Sequence, residues 1–536
     1  MKLEQIYVES YRVLRDLTLH FERASSHHPG VAIRQGYALD FLAGVNGTGK
    51  TTALQFIART FAHLYSSDHF AERFNLTYTV GELADSHSGS QVRISNIPAE
   101  DEQPKSQYGQ FQYQVGPNKT GEGKVPMEFL PSYVVIYTTG SEEEWERVLS
   151  LGSPEAEDSA PTSAVDTLSM FELPGHQPDM RSYDDEQSAD EPDPKLLFIR
   201  EKHLPLVALC GLIASRWRQI DDSNQVEVLA SVLKDIQLEA LPGFSLRLRA
   251  HANLTEPYQL EIIRRLEGAS DQIIQSGADR LLLFDMQLQL RKRANSQPSV
   301  FTLYSTPIDL FRFLHTLYDH RPFYDPPLQE VNLFFRRLNQ TEEAERNDDA
   351  LVTGSVDSVD TEADAGAPML LLYDWLSDGE RSFLARMALF ALFRADNLLI
   401  LLDEPEVHFN DVWKREIVQK LDEIMRGCVS HAIITTHSSI ALSDVPSDDV
   451  LVLRRDGKFT SGEEHDAGIN TFGADPSDIM VHVFGTLSPN GERSRTFIRE
   501  EIGKRDTAAA LTDLSNFVAP GYWRYRIQLE AQSRKQ

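Results

Sequence analysis

Residues Gly44-Val45-Asn46-Gly47-Thr48-Gly49-Lys50-Thr51 fit the pattern G-x-x-x-x-G-K-[ST], and their flanks restrict what the chain can fold into. Tyr37 to Ala43, just ahead, is short and mostly apolar, a strand candidate. Thr51 to Tyr65, just behind, reads as a helix with Leu54, Ile57, Ala58, Phe61 and Leu64 on one face. Strand, glycine turn and helix in that order make a phosphate cradle. The glycines let successive backbone N–H groups point at one anion, and the helix adds the positive end of its dipole. The reading places Asn46, Gly47, Gly49, Lys50, Thr51 and Thr52 around a nucleoside triphosphate. Lys50 reaches its β and γ phosphates, and the Thr51 hydroxyl is available to Mg²⁺.

Two apolar runs downstream end in chemistry that suits such a cradle. Asn397 to Leu402 leads into Asp403-Glu404-Pro405, and an uninterrupted apolar run predicts a strand buried on both faces of a parallel sheet. Ligand sites in such sheets lie beyond the carboxyl ends of the strands. Asp403 is then placed to hold Mg²⁺ and Glu404 to polarise water. Ala432 to Thr436 is a second such strand, ending in His437-Ser438-Ser439, where His437 is placed to donate to a γ-phosphate. Leu376-Ser377-Asp378-Gly379-Glu380 precedes a helical stretch from Arg381 to Arg394, with Ser377 and Asp378 as cap candidates. A single chain cannot easily bring both its phosphate loop and this segment to one nucleotide. Two copies facing each other can, so ATP is expected to join a homodimer or a higher homo-oligomer.

Charge and composition set the organisation. The chain has 536 residues, a formal charge of −29 and 41% hydrophobic residues. Residues 141–195 carry 16 acids against 3 bases and residues 341–368 carry 9 against 1, so these two stretches hold −21 of the total. Both are too polar to offset the entropy of ordering and read as flexible. They divide the chain into an N-terminal ATPase lobe (1–145), an acidic insertion (146–195), a mixed helix and strand insertion (196–340), an acidic linker (341–368) and a C-terminal lobe (369–536). In the mixed insertion, Leu206 to Trp217 and Asp309 to Tyr318 read as helices, and Ser245 to Arg249 and Met286 to Arg291 alternate as strands do. No fixed-period repeat or long heptad run is present. Two cysteines, Cys210 and Cys428, offer no zinc spacing and no disulfide framework, and there is no apolar signal core or membrane-length apolar run. A cytoplasmic protein without a membrane partner is expected.

Taken together, these motifs resemble the ABC-type ATPases with split heads, as in the SMC and RecF group, over roughly residues 1–140 and 366–480. The resemblance implies an α/β P-loop fold that binds and hydrolyses ATP with Mg²⁺. Val8-Glu9-Ser10-Tyr11-Arg12 is similar to the opening motif of that group and implies that Arg12 approaches the nucleotide. Ser377 and Gly379 match its signature, Asp403 and Glu404 its metal and base pair, and His437 its switch histidine. Glu406-Val407-His408-Phe409-Asn410-Asp411 stands where that group has a dimer-contact loop, and no glutamine-loop residue can be placed. Leu130-Pro131 with Ile136-Tyr137, Thr471-Phe472-Gly473 and Pro520 to Arg526 look like the ATPase subunit of Septu-type anti-phage systems. That resemblance implies an HNH nuclease partner and, in some systems, a retron with its RNA–DNA hybrid.

Other chemistry is poorly supported. OLD-family nucleases carry a Toprim domain after a similar head, but only 99 residues follow His437 here, without a paired-metal pattern. Basic clusters at Arg247 with Arg249, Arg264-Arg265, Arg291-Lys292-Arg293 and Arg454-Arg455 suggest either a solvated face or a nucleic-acid track. Two alternatives to nuclease control stay open: a RecF-like repair ATPase acting on DNA, and an ATP-locked scaffold with little turnover.

Overall fold

The computed structural model describes residues 1–21, 36–67, 69–81, 90–97, 109–117, 119–149, 195–221, 229–249, 257–318, 326–337, 370–463, 468–486 and 490–534. The acidic stretches expected at 146–195 and 341–368 lie outside the described residues, apart from 146–149 and 195.

The chain opens with an antiparallel hairpin, β1 (Lys2–Tyr11) and β2 (Leu14–His20), then β3 (Ala38–Ala43), the phosphate loop and α1 (Lys50–Ser66). After the short β4 (His69–Phe70) come β5 (Phe74–Val80), β6 (Ser90–Ser95), β7 (Gly109–Gln110), β8 (Gln112–Val115) and β9 (Lys119–Glu122), then β10 (Tyr133–Thr138) and α2 (Glu142–Leu149). Strands β1, β2, β5, β6, β8 and β9 form one sheet whose residues alternate between core and solvent. Ile6 pairs with Leu19 on one side and Leu76 on the other, and Leu76 pairs with Ile94, so one face is apolar throughout. That face packs on Leu54, Ile57 and Phe61 of α1.

The middle of the chain supplies β11 (Leu196–Ile199), α3 (Leu204–Asp221), α4 (Ala230–Asp235), β12 (Gly243–Arg249), α5 (Pro257–Ala269), β13 (Gln272–Ser276), β14 (Asp279–Asp285), α6 (Met286–Ala294), α7 (Pro307–Tyr318) and β15 (Leu328–Arg336). With β16 (Leu370–Leu372), the strands form an antiparallel sheet of order β13-β14-β12-β15-β16. The alternating run from Met286 is helical, not extended. Asp285 caps it by accepting from Gln287 N and Leu288 N, and the buried positions are Met286 and Gln289, one helical turn apart.

The last third adds α8 (Asp378–Leu392), β17 (Leu398–Asp403), α9 (Asp411–Met425), β18 (His431–Thr435), α10 (Ser439–Leu442), β19 (Val450–Val452) and β20 (Thr460–Glu463). β20 joins the N-terminal sheet beside β2. The remaining strands build the central sheet, all parallel, in the order β11-β10-β17-β18-β3-β19. Strands more than 350 residues apart in sequence thus lie one strand apart. In β17, Leu399 and Leu401 enter the core shared with α1, while Leu398, Ile400 and Leu402 enter the core shared with α3 and α8. An apolar run without alternation is what a strand covered on both faces requires.

Helices α3 and α8 cross closely at Gly211, where a Cβ would lie 2.3 Å from the Ala388 carbonyl oxygen. After β20, the described chain is helical: α11 (Pro476–His482), α12 (Glu492–Lys504), α13 (Ala508–Phe517) and α14 (Tyr522–Ser533). The final three helices enclose their own small core of Ile498, Leu511, Leu514, Trp523, Ile527 and Ala531, so this end does not continue the α/β pattern expected across 369–536. No helix among the described residues is long and apolar enough to cross a membrane, and both cysteines are buried free thiols.

The Gly211 contact predicts that Gly211→Ala destabilises the protein by about 1–3 kcal/mol through overpacking. Gly268→Ala, in α5 where a Cβ meets nothing within 4 Å, should leave stability unchanged or raise it. Urea unfolding of the two variants checks the pair.

Candidate functional site: a phosphate loop joined to a carboxylate strand

The loop between β3 and α1 takes a shape that only glycine allows at its critical positions. Gly44, Gly47 and Gly49 have φ of 140°, 80° and 91°. A Cβ on Gly44 would lie 2.4 Å from the Leu453 carbonyl oxygen, and one on Gly49 would lie 3.0 Å from both Val13 and Leu14. The N-terminal hairpin and the segment after β19 therefore grip the loop from outside. Thr460 Oγ1 donates to Thr48 O at 2.7 Å, and Arg455 Nη1 donates to Gly47 O at 3.4 Å. Lys50 is buried and its Nζ donates to Gly44 O and Val45 O, at 3.0 and 3.2 Å. Asn46 and Gly47 form the exposed tip, and Thr51 and Thr52 open α1, half-buried.

Asp403, at the end of β17, ties the loop to the sheet. Its Oδ1 accepts from Thr51 Oγ1 at 2.9 Å and from Thr435 Oγ1 at 2.7 Å, and its Oδ2 accepts from Thr138 Oγ1 at 3.2 Å. Burial pushes the Asp403 carboxyl above its usual range, while the hydroxyl donors pull it back. A hydroxyl and a carboxylate oxygen in contact at the mouth of a phosphate loop are the hard oxygen donors that Mg²⁺ takes. The loop glycines and Lys50 suit the phosphates that would share the ion. The residues therefore fit a magnesium-bound nucleoside triphosphate.

Glu404 has φ of 52°, a left-handed conformation that costs a non-glycine residue about 1–3 kcal/mol. Its N–H is held by Thr435, through O at 3.2 Å and Oγ1 at 3.0 Å. The resulting turn aims its carboxylate at His437, whose Nε2 lies 3.1 Å from Glu404 Oε1. That hydrogen bond is the main reason the Glu404 carboxyl sits below its usual range. Behind it, buried Glu406 accepts from Thr436 Oγ1 and from His437 N, the latter at 3.2 Å, and burial raises its carboxyl. Burial also lowers Lys50 to about 8, against the opposing charges of Glu404, Asp403 and Glu406.

Three residues expected at the nucleotide make contacts of their own. Arg12 donates to Gln55 Oε1 on α1 at 2.9 Å and pairs with Glu144 at 2.6 Å. Ser377 caps α8 in a reciprocal box, its backbone N donating to Glu380 Oε2 at 2.8 Å while Glu380 N donates to Ser377 Oγ at 3.3 Å. Gly379 lies against the turn after β17, where a Cβ would be 3.0 Å from His408 O and 3.2 Å from Trp413. Among the described residues, no hydrogen bond joins the Ser377 segment to the phosphate loop of the same chain.

The sequence did not assign Thr138, Thr435, Glu406 or Arg455 to the site. The available signal for Thr435 and Thr436 was two hydroxyls at the end of an apolar strand parallel to the Asp403 strand. The signal for Glu406 was a third acid just past Pro405. Within the basic clusters, Arg247 pairs with Glu330, Arg249 with Asp279, Arg265 with Glu261 and Lys292 with Asp271.

Residues 274–444 match the family described as "AAA domain, putative AbiEii toxin, Type IV TA system", a span holding β17, β18 and the Ser377 segment. With the phosphate loop beside them in one parallel sheet, the fold is that of a P-loop ATPase domain. No curated protein matches the chain. Among solved structures, an SMC head bound to the C-terminal winged-helix domain of ScpA aligns over 87% of this chain and 98% of its own, at 9% identity and a TM-score of 0.32. A Pyrococcus furiosus SMC head bound to ScpA's C-terminal domain aligns over 87% and 96%, at 9% identity and 0.31. The Thermotoga maritima SMC head aligns over 86% and 98%, at 9% identity and 0.29. Backbones that diverge this far transfer no residue roles.

Lys50 gives the site a pH dependence of definite sign. With its ammonium lowered to about 8, the charge that attracts phosphate is mostly present at pH 7 and mostly lost at pH 9. Triphosphate affinity should therefore fall about tenfold between those values. A fluorescent-nucleotide titration across that range checks it, and a flat profile contradicts it.

Proposed function

We propose that the chain is a magnesium-dependent ATPase whose nucleotide closes two copies into a pair and whose hydrolysis releases them. The observation that carries this reading is the hydrogen bond from the phosphate-loop Thr51 to Asp403, with Glu404 beside it held by His437. Lys50 and the backbone around Asn46, Gly47, Gly49 and Thr52 bind the phosphates, and Arg12 approaches from the hairpin. Thr51 and Asp403 hold Mg²⁺, which, when bound, neutralises charge that develops on the phosphate oxygens. Glu404 orients water and takes its proton on a carboxylate that its lowered pKa keeps ionised at neutral pH. His437 steadies that carboxylate. Ser377 and Gly379, at the positive N-terminal end of α8, serve the γ-phosphate held by the other copy.

We further propose that the open and closed pairs restrain or license a separate nuclease in anti-phage defence. The support is the sequence resemblance to Septu-type ATPases, which implies an HNH partner and, in some systems, a retron. Among the described residues, no cluster of three or more metal-ligating side chains offers a nuclease centre on this chain.

Glu404→Gln should leave ATP affinity within about threefold of the parent and lower steady-state turnover at least about a hundredfold. Phosphate release measured beside nucleotide binding checks both halves. Turnover at the parent rate would remove Glu404 from the role of base, and an absence of ATP binding by the parent would remove the whole reading.

A further inference from the structure

The three C-terminal helices carry chemistry that the ATPase reading does not use. Residues 490–534 hold eight bases and six acids in a chain whose overall charge is −29. Several of the bases are matched: Arg495 with Glu492, Arg505 with Glu501 and Arg534 with Glu530. Arg499 of α12 and Arg526 of α14 are not in ion-pair contact with any carboxylate among the described residues; Glu492, which feels the charge of Arg499, is bonded to Arg495. Both converge on one indole, 5.6 and 5.7 Å from the centroid of Trp523. Two guanidiniums gathered on a single ring, with Glu492 reaching Arg499 by charge alone, would be favoured by a bound anion.

The same helix presents stacking surfaces. Trp523, Ile527 and Ala531 face the small core, which sends Tyr522, Tyr525 and Leu529, at i, i+3 and i+7, to the opposite side. Tyr522 and Tyr525 are 63% and 61% exposed, and Arg526 donates to Tyr522 Oη at 3.2 Å, joining ring and charge on one face. Exposed aromatic rings beside exposed guanidiniums fit a polyanion whose bases are free to stack. The bulk charge does not forbid this. Most of it lies in residues 141–195 and 341–368, and at physiological salt it is screened beyond about 8 Å.

We propose that the face formed by Arg499, Tyr522, Tyr525 and Arg526 binds single-stranded nucleic acid, the guanidiniums on phosphate and the tyrosines on bases. The site is independent of the phosphate loop, so Lys50→Ala should retain it. Fluorescence anisotropy of the full chain with labelled oligo-dT and oligo-U of twenty nucleotides, across a salt series, tests the proposal. The double variant R499E/R526E should lose about tenfold or more in affinity at 0.1 M salt and lower the salt slope by about 1.4, two phosphates at 0.7 each. Y522A/Y525A should weaken binding while leaving the slope in place, and both variants should melt with the parent. Wild-type protein that binds neither oligomer, variants that bind like the parent, or duplex held as tightly as single strand would each overturn it. So would a preference for poly-glutamate over the oligonucleotide at equal charge, which would assign the face to an acidic protein partner.

Discussion

One buried carboxylate holds together parts of the chain that are remote from each other in sequence. Asp403 accepts hydroxyl hydrogen bonds from Thr51, Thr138 and Thr435, which belong to the start of α1, the end of β10 and the end of β18. A carboxylate taken out of water is costly unless its oxygens are satisfied. Here the satisfying groups come from three neighbouring segments, so the cost of burial is met only when all three are in register. The parallel pairing of Asp403 with Thr138 on one side and Thr435 on the other supplies that register. The same alignment that completes the sheet sets the phosphate loop beside its metal-binding candidate.

A second line of contacts runs from the same strand end. Thr435 holds the backbone of Glu404, Thr436 holds the Glu406 side chain, and His437 meets Glu404. The three residues that leave β18 thus fix the three acids that leave β17. Beyond them, His408 and Trp413 touch Gly379, and Trp413 stacks on Phe383 of α8 at 4.9 Å. His437 also lies 6.0 Å from the Phe484 ring, and Gly485 approaches Val45 of the phosphate loop, on the chain that continues to the C-terminal helices.

The strands of the central sheet were legible because both faces are covered, which leaves runs such as Leu398–Leu402 without a polar residue. The phosphate loop was legible because its glycines answer to backbone geometry, and the α8 cap was legible only as Ser377 or Asp378, between which the bond to Glu380 decides for Ser377. Thr138 and Thr435 were not, since a threonine at a strand end is ordinary until its carboxylate partner is located in space. Alternation misled at Met286–Arg291, where Asp285 as an N-cap decided for helix. Sequence did not show which acids lie across the sheet, where Glu330 and Asp279 pair with Arg247 and Arg249 from adjacent strands. The independent core of the last three helices gave little warning, being built from one or two apolar residues per turn.

The contacts around Asp403 bring the phosphate loop, Thr51 and Glu404 together within one copy. Ser377 is bonded to Glu380 within its own cap, and we propose that it serves the site of a mate. Mixing Lys50→Ala protein with Ser377→Ala protein tests this directly, since each variant alone lacks both complete sites and a mixed pair keeps one intact. The account predicts that ATP hydrolysis reappears on mixing, at roughly a quarter of the parent rate for random pairing. A mixture no more active than the two variants measured separately would contradict it.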